Sequence, residues 1–163
     1  MHDGETFHTV RGYQILSQNK NALTSAMEDY LEMIYRNIME DGYMRINILS
    51  ELLNVKPSSA TKMVQKLTDL GLLDYKKYGI IFLTENGKAL GRFLLNRHNI
   101  IEKFFKAIGV SENILEETEL VEHSISVNTL KNIELLNEFL DRNPDVMRRL
   151  QEFKENHSEK NEE

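Results

Sequence analysis

The fold is decided by residues 56–84, which read KPSSATKMVQKLTDLG and then LLDYKKYGIIFLT. Pro57 cannot continue a helix but suits the start of one, and Ser58 or Ser59 can cap it. Apolar side chains then recur at helical spacing up to Gly71, a typical helix stop. These inward-facing residues are Met63, Val64, Leu67 and Leu70.

A β-hairpin is predicted directly after this helix. Residues 72–84 contain two short runs rich in aromatic and β-branched side chains, and Tyr78 and Gly79 lie between them. Such runs around a glycine-containing turn are typical of a hairpin.

Two helices are predicted before the segment. In residues 24–41, Ser25 and Glu28 fit a capping box, and Asp41-Gly42 ends the helix. The buried stripe of this helix is Met27, Leu31, Ile34 and Ile38. A second helix is predicted in INILSELLNV (46–55), with Ile48, Leu49, Leu52 and Leu53 facing inward.

Further helices are predicted after the hairpin. Thr84 can cap a long helix over residues 85–108, whose buried stripe includes Leu94, Ile101, Phe105 and the neighbouring Phe104, and Gly109 is its stop. Two more helices are expected over 112–125 and 127–142, and a last short one follows Pro144. Residues 1–22 show no clean period and are treated as an extension.

The predicted architecture is mainly α, with an N-terminal winged helix-turn-helix and a C-terminal helical domain. A winged helix-turn-helix has the element order predicted here, which is helix, helix, short turn, helix and hairpin. The expected divisions are an extension (1–22), the winged domain (23–92), the helical domain (93–150) and a frayed charged tail (151–163).

The composition narrows the class of protein. Hydrophobic residues make up 40% of the 163-residue chain and charged residues 28%, so the chain can bury a core. The absence of cysteine excludes disulfides, thiolate metal sites and a cysteine nucleophile. Neither a membrane span nor a signal peptide is evident, so a cytoplasmic protein is expected.

The charge is unevenly distributed. The chain carries −6, but residues 56–92 hold seven basic and three acidic residues and therefore carry +4. The predicted helix that starts at Pro57 presents groups that bind phosphates or base edges of double-stranded DNA. The candidate DNA-binding residues are Pro57, Ser58, Ser59, Thr61, Lys62, Gln65 and Lys66 on that helix and Lys76 and Lys77 on the hairpin. An ordinary solvated face is the alternative interpretation.

The stretch ETELVEHSIS (117–126) contains candidate metal ligands. At about 100° per residue, Glu119, Glu122 and His123 fall on one side of a helix, on the same stripe as Leu115. Two carboxylates and an imidazole suit Mn²⁺, Fe²⁺ or Zn²⁺ better than a soft metal. A solvated acidic face would show the same pattern.

His98, Asp29 and Glu32 are further residues of metal-ligand type. His98 stands in an apolar series, where a histidine is either a satisfied core residue or a ligand. Asp29 and Glu32 are neighbours on one helix, and periodicity alone assigns them to the solvated surface. His2, His8 and His157 lie towards the ends of the chain and are treated as bystanders.

Several of these stretches together resemble one known family. They are AMEDYLEMIY, KPSSATKMVQKL, LTENGKALG, RHNIIEKFF and ELVEHSIS. They resemble, in order and spacing, the diphtheria-toxin-repressor family of metal-dependent transcription regulators, and most of all its manganese transport regulator branch. The resemblance covers about residues 25–150 and implies a homodimer, formed through the C-terminal helical domain, that reads operator DNA.

The resemblance also implies a two-metal site. Carried over position by position, its ligands are Asp29, Glu32, His98, Glu119, Glu122 and His123. Iron-responsive relatives use a methionine in place of Asp29 and a cysteine in place of Glu119. Because both are carboxylates here, Mn²⁺ is the expected ion, with two per subunit. Fe²⁺, Zn²⁺, Cd²⁺ and Co²⁺ are the substitutes to consider.

Three functions follow as hypotheses. The first is a Mn²⁺-activated repressor of manganese uptake genes, with no small organic substrate and no membrane partner. The second is an iron- or zinc-responsive regulator with the same fold. The third is a metal-dependent enzyme on a helical scaffold, although no nucleophile–base pair or glycine-rich phosphate loop is present in the sequence.

Overall fold

A computed structural model of the protein describes residues 3–158, without the side chains of residues 3–9, 40 and 158. Its elements are α1 (Asp3–Gln18), α2 (Ser25–Asp41), β1 (Met44–Arg45), α3 (Ile46–Leu52), α4 (Pro57–Asp69), β2 (Leu73–Lys76), β3 (Ile80–Leu83), α5 (Glu85–Ala107), α6 (Ile114–Glu122), α7 (Val127–Arg142) and α8 (Pro144–Ser158). The expectations for His2 and the side chain of His8 fall outside the described residues.

The chain forms two compact units. The first ends at Asn96 and the second begins at Arg97, so the boundary falls inside α5. The sequence-based division at residues 92 and 93 stays a prediction.

The first unit combines helices with a small sheet. Its three antiparallel strands lie in the order β1-β3-β2. Leu73 pairs with Leu83 and Lys76 with Ile80, as expected for the predicted hairpin. Strand β1 contains only two residues and was not predicted; it pairs Met44 with Ile81.

Helix α2 has the predicted buried stripe but a different cap. Met27, Leu31, Ile34 and Ile38 are all buried. The capping box expected at Ser25 is wrong, because the Thr24 hydroxyl accepts the Met27 N–H at 3.3 Å. Gly42 ends the helix with φ of 75°, a conformation that few other residues adopt without strain.

Helix α3 differs from its predicted orientation. Leu49 is fully buried, but Ile48 and Leu52 are 47% and 46% exposed, so the inward orientation predicted for these two is wrong. Two turns of helix contain too few positions to show which face is buried. The polar Ser50 is buried instead and satisfies its hydroxyl by donating to the Asn47 carbonyl at 2.8 Å.

Helix α4 begins at Pro57 itself. Ser58 and Ser59 therefore lie within its first turn, and neither is the N-cap, contrary to expectation. Val64 and Leu67 are fully buried as predicted. The predicted cap of α5 is confirmed, because the Thr84 hydroxyl accepts the Gly87 N–H at 3.0 Å.

The N-terminal extension forms helix α1, which the sequence period did not predict. This helix passes close to α5, since a Cβ added at Gly12 would lie 2.5 Å from the Phe93 Cβ and 2.7 Å from the Ala89 carbonyl oxygen. Ile15 is buried, and the Tyr13 and Phe93 rings lie 6.5 Å apart. Helix α1 is thus packed against α5 within the first unit.

The second unit is helical. Leu130 of α7 is buried, and Asn137 of α7 donates to the Ile100 carbonyl at 2.9 Å. Helix α7 has the predicted bounds, whereas α8 continues through the expected frayed segment as far as Ser158. None of the helices in the described part of the chain has the length and apolar character needed to cross a bilayer.

We expect Gly12→Val to destabilise the protein by about 1–3 kcal/mol, because the added methyl groups overlap the Phe93 side chain and the Ala89 backbone. Urea unfolding followed by circular dichroism measures the change. Gln14→Val places the same residue on the exposed side of α1 and should change stability much less. Equal effects of the two substitutions would contradict a close α1–α5 contact.

Candidate metal centre and nucleic-acid surface

The second unit contains a buried carboxylate–imidazole pair. His98 lies on α5, and Glu122 is the last residue of α6. His98 Nδ1 is 3.0 Å from Glu122 Oε2, and the two residues are 5% and 1% exposed. A buried carboxylate needs a hydrogen-bond donor, which the imidazole N–H supplies. In the neutral ring the lone pair is then on Nε2, as in a metal-binding histidine oriented by a carboxylate.

His123 lies immediately after α6, beside the same carboxylate. Its Nε2 is 3.7 Å from Glu122 Oε1, and its Nδ1 is 3.2 Å from Nη2 of Arg97. Arg97 precedes His98 on α5 and is only 4% exposed. Arg97 was not among the predicted site residues, although its spacing from Leu94 and Ile101 places it on the buried stripe of α5.

The other predicted ligands differ in their exposure and in the unit to which they belong. Glu119 is exposed on α6, and Leu115, which was placed on the same stripe, is 53% exposed. Asp29 and Glu32 belong to α2 in the first unit. Asp29 is exposed as periodicity indicated, but Glu32 is only 7% exposed and forms an ion pair with Arg36.

The donors present fit a divalent cation. Carboxylate oxygens and imidazole nitrogens bind hard and borderline ions, and the chain has no thiolate to favour a softer one. The burial of Glu122 next to two imidazoles is the observation that supports this fit, because a metal would compensate its charge.

The candidate DNA surface lies on α4 and the hairpin of the first unit. All nine candidate residues are exposed except Thr61, which is half-buried. The Thr61 hydroxyl donates to the Pro57 carbonyl at 2.9 Å, and Lys76 pairs with Asp74 at 2.7 Å. Ala60, Val64 and Leu67 occupy the opposite face of α4 and are fully buried.

The tip of the hairpin presents an aromatic ring. Tyr78 is 91% exposed, and its φ of 63° is uncommon for a non-glycine residue. The exposed Lys76 and Lys77 directly precede it along the chain.

These observations define a class of protein, a winged helix-turn-helix regulator joined to a helical unit with metal-ligand chemistry. Residues 22–81 match the model of the iron-dependent repressor N-terminal DNA-binding domain. Residues 84–151 match the metal-binding and dimerisation domain of the same repressors. The chain belongs to the iron-dependent repressor family, as its resemblance to the diphtheria-toxin-repressor family predicts.

Curated relatives of the chain are transcriptional regulators named MntR. The MntR of Lysinibacillus sphaericus is 42% identical over 136 residues, which cover 83% of this chain and 98% of the relative. The MntR of Oceanobacillus iheyensis is 47% identical over 120 residues, which cover 72% and 82%.

Solved structures show the same fold. The manganese regulator SloR has a TM-score of 0.60 at 28% identity, over 71% of this chain and 53% of SloR. ScaR with bound Zn²⁺ has a TM-score of 0.59 at 30% identity, over 69% of this chain and 54% of ScaR. The chain thus spans about half the length of these two proteins.

We expect a divalent cation to raise the melting temperature of the metal-free protein, because a ligand that binds the folded state stabilises it. At a Mn²⁺ concentration 100 times its Kd, the gain is about 2.7 kcal/mol, and EDTA should reverse it. Differential scanning calorimetry measures the shift.

Glu122→Gln, which keeps the size but removes the charge, should abolish most of this stabilisation. Glu138→Gln removes an exposed carboxylate that pairs with Arg142 on α7 and should leave the shift intact. An unchanged shift in Glu122→Gln would exclude Glu122 as a ligand.

Proposed function

We propose that this protein is a manganese-dependent transcriptional repressor that binds operator DNA as a metal-activated homodimer and controls manganese uptake genes. The observation that carries the proposal is the buried Glu122 beside His98 and His123, in a family of metal-dependent repressors. The proposed ligands are those implied by the resemblance: Asp29, Glu32, His98, Glu119, Glu122 and His123.

The preference for manganese rests on the donor set. Four of the six proposed ligands are carboxylates, and neither a thioether nor a thiolate is among them. Hard oxygen donors suit Mn²⁺, whereas soft sulfur donors favour other ions. The similarity to SloR, a manganese regulator, agrees with this preference.

Dimerisation through the second unit is supported by its surface. Helix α7 exposes three large apolar side chains, Leu135, Leu136 and Phe139, at 63%, 42% and 51%. Apolar groups exposed together in this way mark interaction surfaces in soluble proteins. A dimer would also present two α4 helices to two half-sites, which increases specificity.

Metal binding would activate the protein through linkage. A bound divalent cation supplies positive charge among the proposed carboxylates. In the metal-free dimer, the DNA-reading helices must be ordered when DNA binds, and that ordering lowers affinity. Ligand residues that already hold a metal would remove part of this cost, and DNA must then tighten metal binding by the same factor.

The decisive experiment is a DNA titration resolved by metal. Gel-shift or fluorescence-anisotropy titrations of an upstream region of a manganese uptake gene would be run with Mn²⁺, Fe²⁺, Zn²⁺ or EDTA at equal ionic strength. Mn²⁺ should activate best, and Glu122→Ala should lose the activation.

Two results of this titration would contradict the proposal. Equal activation by Zn²⁺ and Mn²⁺ would exclude manganese specificity and favour a zinc-responsive regulator. Equal DNA affinity with Mn²⁺ and with EDTA would exclude a metal switch. The relatives are transcriptional regulators, and turnover of a substrate that depends on Glu122 would instead indicate an enzyme.

The roles of individual residues on α4 can be separated by salt dependence. Lys62→Ala should weaken binding to every sequence and reduce the slope of log K against log salt by about 1, because one phosphate contact is lost. Gln65→Ala should weaken binding to the operator but leave that slope unchanged, as expected for a base contact.

The control for both substitutions is Lys106→Ala, which removes an exposed lysine that pairs with Glu102 in the second unit. It should leave both the affinity and the slope unchanged. If Lys62→Ala and Gln65→Ala both behave like this control, α4 is not the DNA-reading helix.

A further inference from the structure

Arg97 is a buried cation in direct contact with a proposed metal ligand. Its Nη2 lies 3.2 Å from Nδ1 of His123, and only 4% of the residue is exposed. The guanidinium is charged at every accessible pH, and all of its polar atoms are donors.

This contact determines where the proton of His123 resides. Because Arg97 can only donate, Nδ1 of His123 must accept and therefore carries no proton. The ring is then neutral, and its proton is on Nε2, which faces Glu122 Oε1 at 3.7 Å. The single lone pair of the ring is thus directed at Arg97.

Metal coordination requires that lone pair. If Nδ1 binds the metal, Arg97 must first release it. If Nε2 binds the metal, the proton must move to Nδ1, where it would point at the N–H of Arg97, and two donors cannot satisfy each other. Both routes require Arg97 to leave its position beside His123.

We propose that Arg97 is a resident cation that competes with the metal for His123 and so sets the metal concentration at which the protein responds. The inference rests on the proposed function. In the metal-free protein, Arg97 satisfies the imidazole and places positive charge beside the buried Glu122 cluster. Metal binding must replace this interaction, which lowers affinity relative to a site without the arginine.

The test compares Mn²⁺ affinities of the full-length chain by isothermal titration calorimetry at one fixed pH. Arg97→Met keeps an unbranched side chain but removes the charge and the donors. It should tighten Mn²⁺ binding by roughly tenfold, the factor that corresponds to one charge-assisted hydrogen bond. Arg92→Met removes an arginine of the same helix that donates to Tyr35, and it should leave the Kd unchanged.

The outcomes separate this inference from the proposed function. If the wild-type chain does not bind Mn²⁺, both fail. If the wild type binds Mn²⁺ and folded Arg97→Met binds it equally or more weakly, Arg97 is not a competitor, and the manganese proposal is untouched.

A measurement on the unmodified chain keeps the inference testable if Arg97→Met does not fold. Long-range ¹H–¹⁵N NMR of the metal-free protein should show His123 as the neutral ring protonated at Nε2. A ring protonated at Nδ1, or at both nitrogens, would overturn the inference.

Discussion

The hydrogen bond between His98 and Glu122 is the constraint on which the second unit depends. A carboxylate that is 1% exposed is strongly destabilising unless a donor reaches it, and His98 Nδ1 does so at 3.0 Å. The bond connects α5 to the end of α6, and it fixes which nitrogen of His98 carries the lone pair. It also brings His123, the residue after α6, next to Arg97. The placement of His98 beside Glu122 therefore satisfies a buried carboxylate.

In the first unit, helix α4 keeps most of its candidate DNA-binding side chains exposed. The complete burial of Ala60, Val64 and Leu67 fixes the rotation of α4 about its axis. Lys62 and Gln65 then face solvent. The local charge matters more than the net charge, since a basic surface of a few residues attracts phosphates even in an acidic chain.

Sequence reasoning predicted those elements whose apolar period is long. It identified the buried stripe of α2 and the bounds of α7. It chose Ser25 instead of Thr24 as the N-cap of α2, because serine and threonine are both common N-cap residues and the two are adjacent. It assigned Ile48 and Leu52 to the core because α3 is too short to show a face. No helix was predicted for the extension. Its close contact with α5 is at Gly12, and a glycine has no side chain that would contribute to a hydrophobic pattern.

At the metal centre, the sequence identified donor types but not the positions of protons. His98, Glu122 and His123 were all candidates, and the structure brings these three together in one unit. Arg97 was missed because an arginine is usually a surface residue, and only its place on the buried stripe indicated otherwise.

The metal affinity of a site depends on the free-energy difference between its metal-bound and metal-free states. In the metal-free state, any group that already interacts with the ligands contributes to that difference. A fixed cation at His123 stabilises that state, so it raises the metal concentration needed for half occupancy without altering the ligand set. By linkage, the same competition would weaken DNA binding at any given metal concentration. Arg97, which itself binds neither metal nor DNA, would then influence the affinity for both.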